Sequence, residues 1–205
     1  MALLNSAQQQ KIADQIRDIE SRTDAELVTV LASRSDNYNY VSLMWAAVLA
    51  LLVPIFALML PFWLNTRDIV LLQCGLFLVL ALLFRIPAIL YLIVPKRIRY
   101  WRAANMARRA FLDNNLHHTM GESGILIFVS EAERYVEIIA DRGLDKLVTP
   151  GQWQELVDEF ILAVKKGDTF QGFENCLRRC GDELISKLPI TQTKDELPNH
   201  LVMIE

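Results

Sequence analysis

The chain has 205 residues, 53% of them hydrophobic, with a formal net charge of −3 and three cysteines, and its mean hydropathy is +0.24. The apolar excess is concentrated in one internal insertion, and the remaining stretch of about 150 residues is polar enough for one soluble domain. A chain this short has no core large enough to hide long, uniformly apolar segments, which argues against an ordinary soluble protein.

In chain order, the N-terminus (MALLNSAQQQKIADQ) lacks a basic region followed by an apolar core, so no cleaved signal peptide is expected. Asn5–Arg22 places Ile12, Ile16 and Ile19 at helical spacing, with Asn5 or Ser6 as N-cap and Gln9 in a capping-box position relative to Ser6. Glu26–Ser33 (ELVTVLAS) reads as a buried strand. Val41–Leu64 then runs 24 positions without a charge, and a helix needs about 20 apolar residues to cross a bilayer. Ile69–Pro95 runs 27 residues interrupted by Gln73 and Arg85. It spans if Arg85, its seventeenth residue, snorkels to the headgroups. A transport role for Arg85 would require oligomers, because a two-helix hairpin is too small to form a channel. Pro54, Pro61 and Pro87 predict kinks without excluding a span.

Asn65, Thr66, Arg67 and Asp68 allow only a tight turn between the two stretches, so both flanks lie on one side. The segment after the second stretch, KRIRYWRAANMARR, carries Lys96, Arg97, Arg99, Arg102, Arg108 and Arg109 with no acidic residue. Cationic segments next to spans stay cytoplasmic, which predicts a two-pass inner-membrane protein with both termini inside. The basic run is local, since the rest of the chain is acidic, and headgroups are a nearer partner for it than nucleic acid. Ile98–His118 reads as a polar, cationic helix. Ile125–Ser130 and Arg134–Asp141 read as strands closed by Glu131, Ala132 and Glu133 into an antiparallel hairpin. Helices are expected from Thr149 or Pro150 to Gly167 and from Asp168 to Lys187, and residues 191–205 read as a loose tail. The domain map is one discontinuous soluble domain, 1–38 plus 98–190, interrupted by a hairpin at 41–95.

Four phrases in this order, Glu20–Val30, Gly124–Ser130, Arg134–Asp145 and Lys166–Gly172, resemble those of the TPM domain family of thylakoid, bacterial and animal membrane-associated proteins. The resemblance covers about residues 4–36 and 104–188. It implies an α/β fold, a small mixed sheet sandwiched by helices, with the hairpin inserted between the first strand and the next helix. Some family members bind calcium and at least one is credited with acid phosphatase activity, through carboxylates at one end of the sheet. At that end this chain offers Asp24, Glu26, Asp141 and Asp145, which lie at a strand start and at a strand-ending turn and are the expected metal-binding set. This chain departs from the family where Asp24 replaces a glycine and where Leu147–Pro150 lacks an aspartate. Calcium wants six to eight oxygens, and Arg134, Arg142 and Lys146 offer the alternative of surface ion pairs.

The residues themselves supply no P-loop, no aspartyl-nucleophile phrase and no H-E-x-x-H motif. Histidines are His117, His118 and His200; the adjacent pair would point about 100° apart on a helix. Cys176 and Cys180, at i,i+4, make at most half a metal site and read as small buried apolar residues, and a cytoplasmic setting argues against a disulfide. The expectation is therefore a membrane-anchored, non-catalytic module that docks a membrane or membrane-associated protein, without a cofactor. The alternative is a weak divalent-metal-dependent phosphatase.

Overall fold

A computed structural model of the chain describes residues 4–59, 65–119, 121–145, 150–191 and 201–204. It divides into two units, Met1–Ser35 with Tyr100–Glu205, and Asp36–Arg99. In the first, α1 (Ser6–Glu20) buries Ile12, Ile16 and Ile19 on one face. Its capping box uses Asn5 and Gln8: the Asn5 side chain accepts from the Gln8 N–H at 2.8 Å, and the Gln8 side chain accepts from the Asn5 N–H at 2.9 Å. The expected box, Ser6 with Gln9, lies one residue later, because both pairs share the same spacing and the choice falls on the better-placed cap.

Strands β1 (Glu26–Ala32), β2 (Gly124–Ser130), β3 (Tyr135–Ala140) and β4 (Leu201–Ile204) form one mixed sheet in the order β3-β2-β1-β4. β1 runs parallel to β2, pairing Glu26 with Gly124 through to Ala32 with Ser130. β2 and β3 form the antiparallel hairpin expected from the short connection. Arg134 turns its corner in the left-handed region, at φ 52°.

β1 and β2 are buried along their whole lengths, the condition for near-continuous apolar strands covered on both faces. Leu27, Leu31, Ile125, Ile127 and Val129 pack into a core with α1, α8 (Pro150–Lys166) and α9 (Thr169–Lys187). Val28, Val30, Leu126 and Phe128 pack into a second core against α6 (Lys96–Asp113). Ala103, Ala107 and Ala110, fully buried or nearly so, let that helix approach closely. α6 ends before a 3-10 turn, Leu116–His118, that Asn115 enters at φ 55°.

β4 corrects the reading of residues 191–205 as a loose tail. Its four residues pair in parallel with β1, Thr29 with Leu201 through to Ala32 with Ile204. Four residues are too short a pattern to announce a strand, and the partner lies far away in sequence.

In the second unit, α2 (Asn39–Leu51) is followed by α3 (Val53–Met59). The ladder breaks near Leu52 because Pro54 has no N–H and its ring crowds the Ala50 carbonyl. α4 (Thr66–Leu83) has no buried residue. The second apolar stretch is not one helix, since α4 stops at Leu83 and α5 (Pro87–Ile93) starts anew with proline at its first turn. The residue before a proline is held out of the helical region, and Arg85 consequently lies, exposed, in the link between the two helices. Tyr38, Val41, Leu90 and Val94 form a small core here, and the Ser42 hydroxyl donates to the Phe84 carbonyl at 3.1 Å. The expected Pro61 kink lies outside the described residues.

Candidate functional site

Register decides where the predicted carboxylates fall. β1 and β2 both begin, and β3 ends, at one end of the sheet, so Asp24, Glu26 and Asp141 share that end. β2 separates β1 from β3, and two strand spacings put the backbones of Glu26 and Asp141 about 10 Å apart. Asp24 binds the chain to itself. Its carboxylate accepts from the Thr191 N–H at 2.9 Å and the Thr191 hydroxyl at 2.5 Å, its carbonyl accepts from the Ser123 hydroxyl at 2.9 Å, and its N–H donates to the Leu188 carbonyl at 3.2 Å. Glu26 is buried, 6% exposed. Asp141 accepts from the Arg142 N–H at 2.8 Å, capping the four-residue α7 (Arg142–Asp145). The side chains of Asp145 and Lys146 lie outside the described residues, as does His200. Arg134 cannot serve as an ion-pair partner for this group, because the β2–β3 turn holds it at the opposite end of the sheet. Among the described residues, no group of three or more His, Cys, Asp or Glu is gathered where it could hold a metal ion.

The opposite end holds a buried polar cluster that sequence reasoning missed. Glu133 is 2% exposed; it accepts from the Ser130 hydroxyl and, at 3.1 Å, from the Ser35 N–H, while the Ser35 hydroxyl donates to Ser130 Oγ at 2.8 Å. Glu131 accepts from the Thr169 hydroxyl at 2.7 Å. These bonds tie the β2–β3 turn to the residues just beyond β1 and to the start of α9. In sequence, Glu131 and Glu133 look like an ordinary solvated turn, and only the distant Ser35 and Thr169 show otherwise.

Beside it, the Tyr135 hydroxyl donates to Glu137 at 2.9 Å. Burial raises the Glu137 carboxyl above its usual value, against the opposing effects of the Tyr135 bond and the Arg108 charge. Burial also raises the Tyr135 phenol, helped by the Glu137 charge.

All six predicted cations lie on α6. Lys96, Arg97 and Arg99 belong to the Asp36–Arg99 unit, and Arg102, Arg108 and Arg109 to the other. These last three line a groove of about 580 Å³ whose wall includes Ser35 and Ile204. Arg102 also lies over the Trp101 ring, 5.1 Å from its centroid. His117 and His118 sit on the 3-10 turn with ring centroids 4.0 Å apart, closer than the splay expected on an α-helix.

Cys176 and Cys180 are buried, as their helical spacing suggested. Burial pushes the Cys176 thiol up to about 12 and Cys180 well above its ordinary value. An unfolded thiol ionises near 8.5, so between about 8.5 and 12 the unfolded chain holds fewer protons and stability falls as pH rises. At pH 8, alkylation of both residues by iodoacetamide, followed by peptide mass mapping, is expected to wait on urea unfolding. Rapid labelling of the folded chain would contradict this burial.

A model of the family described as TPM domain matches residues 88–183. The match takes in three of the four sequence phrases, Gly124–Ser130, Arg134–Asp145 and Lys166–Gly172, and leaves Glu20–Val30 outside. No curated protein matches the chain. Among solved structures, the NMR structure of BA42 protein from the psychrophilic Bizionia argentinensis is similar, with a TM-score of 0.59 and 17% identity over 98% of this chain and 94% of that one. At that identity the likeness is one of fold.

Proposed function

We propose, from the match of residues 88–183 to the TPM domain model, that the chain is a TPM-domain protein and a membrane-anchored module that works by docking a membrane or membrane-associated protein rather than by turning over a substrate. One observation carries the anchoring. Thr66–Leu83 and Asn39–Met59 are both long and apolar enough to cross a bilayer, and the first of them buries none of its residues. Soluble proteins rarely expose continuous apolar surface on this scale, whereas a bilayer covers it. The cations that begin α6 favour a cytoplasmic location for both termini by the positive-inside rule, and they fit contact with anionic headgroups. The engagement of Asp24 and Asp141 in backbone hydrogen bonds supports a structural role for the carboxylate end.

Expressed at full length, the chain is expected to pellet with membranes and to stay there through an alkaline carbonate wash. Recovery in the wash supernatant would refute anchoring. Metal-dependent phosphomonoester hydrolysis by the purified chain, abolished by Asp24→Asn and Asp141→Asn, would refute the non-catalytic half.

A further inference from the structure

The groove on α6 differs from a flat basic surface in being concave, about 580 Å³, a size that suits a small ligand. Among the described residues, three arginines line it, Arg102, Arg108 and Arg109, and one acidic residue, Asp113. Arg102, Asn105 and Arg109, at i, i+3 and i+7, project from one stripe of the helix. Arg108 donates to the Asn105 side-chain oxygen at 3.4 Å. Among the described residues, the Arg109 guanidinium has no ion pair or hydrogen bond, and the planar fork of arginine matches the oxygens of a phosphate. Trp101 and Leu112, which also line the groove, are 57% and 54% exposed. Exposed apolar side chains beside a row of arginines suit a ligand that is anionic at one end and greasy at the other, and tryptophan is enriched where such molecules meet water.

We infer that this groove binds a phosphate group, that of an anionic lipid headgroup. The shared chemistry is the phosphate; the assignment to lipid rests on the proposed membrane anchoring. The test is calorimetric titration of the full chain in an uncharged detergent with three probes: short-chain phosphatidylglycerol, short-chain phosphatidylcholine and inorganic phosphate. Phosphatidylglycerol is expected to bind at least about tenfold more tightly than phosphatidylcholine. Arg102→Gln with Arg109→Gln is expected to weaken it by roughly tenfold or more, the scale of lost hydrogen bonds to charged groups. Arg102→Lys with Arg109→Lys, which keeps the charge and loses the fork, should fall between. Far-UV circular dichroism checks that each variant folds.

Unchanged phosphatidylglycerol affinity in the folded glutamine variant overturns the groove as the site. Equal affinity for the two lipids with no phosphate binding overturns the proposal altogether. Inorganic phosphate binding as tightly as phosphatidylglycerol, and lost in the same variant, overturns lipid as the source. A chain that leaves membranes in carbonate yet passes this titration refutes the anchoring and keeps the groove.

Discussion

Gly124→Ala is expected to destabilise the sheet-bearing unit by about 3 kcal/mol or more, the upper range for overpacking a closed core. A Cβ at this position would lie 2.3 Å from the Leu116 carbonyl oxygen, 3.0 Å from its carbon and 3.1 Å from the Leu116 Cβ. Two of these neighbours are backbone, so no rotamer change relieves the clash. Neither strand nor turn can yield cheaply. Gly124 is paired with Glu26 of β1, and its carbonyl accepts from the Asp141 N–H at 2.9 Å. Leu116 is fully buried, and its carbonyl accepts from the Thr119 hydroxyl at 3.3 Å. Gly151→Ala is the control, because a Cβ there meets nothing within 4 Å and alanine favours a helix. Urea midpoints of the full chain in detergent, monitored by tryptophan fluorescence, should drop sharply for the first and hold or rise for the second. Equal midpoints would mean that the approach of the Leu116 turn to β2 is wrong. A loss of this size is a large fraction of the stability of an ordinary domain.

What the sequence makes legible is what depends on local pattern. β1 and β2 announce themselves because ELVTVLA and GILIFVS are short, apolar and rich in branched residues, and β3 is legible because only a few residues connect it to β2. Ile12, Ile16 and Ile19 mark the buried face of α1 for the same reason. Hydropathy, by contrast, counts composition and not hydrogen bonds, so Ile69–Pro95 reads as one span although Pro87 divides it and places Arg85 in a link. The carboxylate end is legible in position and illegible in role. Strand polarity brings Asp24, Glu26 and Asp141 to one end of the sheet, but the Asp24 carboxylate accepts from Thr191, separated from it by nearly the whole domain. The basic run is plain in the sequence, whereas the groove it lines needs Ser35 and Ile204 from distant parts of the chain. Glu133 shows the same limit, as its burial depends on Ser35.

Ending the chain after Thr191 is expected to destabilise the same unit by about 4 kcal/mol or more and to make it aggregate. The cut leaves the preceding anchor in place. Thr191 still binds Asp24, Thr23 still bridges to Pro189, and the Ile190 N–H still donates to the Arg22 carbonyl at 3.2 Å, so the measured loss belongs to the segment removed. β4 contributes Leu201 and Met203 to the core beneath α1, α8 and α9, and Val202 and Ile204 to the core beneath α6. Even partial burial of four apolar side chains is worth several kcal/mol. Backbone pairing adds to this. N–H groups of alternate residues point to the same side of a strand; the Glu26 N–H points toward β2, to the Ser123 carbonyl, and the Ser33 N–H points toward β4, to the Ile204 carbonyl at 2.9 Å. Thr29, Leu31 and Ser33 therefore lose the strand their N–H groups face. Leu27 does not, since its N–H is already taken by the Glu20 side chain at 2.8 Å. The truncated chain thus exposes an edge confined to Thr29–Ser33, apolar on both faces and without a charge, the kind of edge that pairs with another copy. Size-exclusion chromatography in detergent should show higher oligomers, and the urea midpoint should fall. A monodisperse truncated chain with an unchanged midpoint would remove β4 from the sheet and return residues 201–204 to the tail that their sequence suggests.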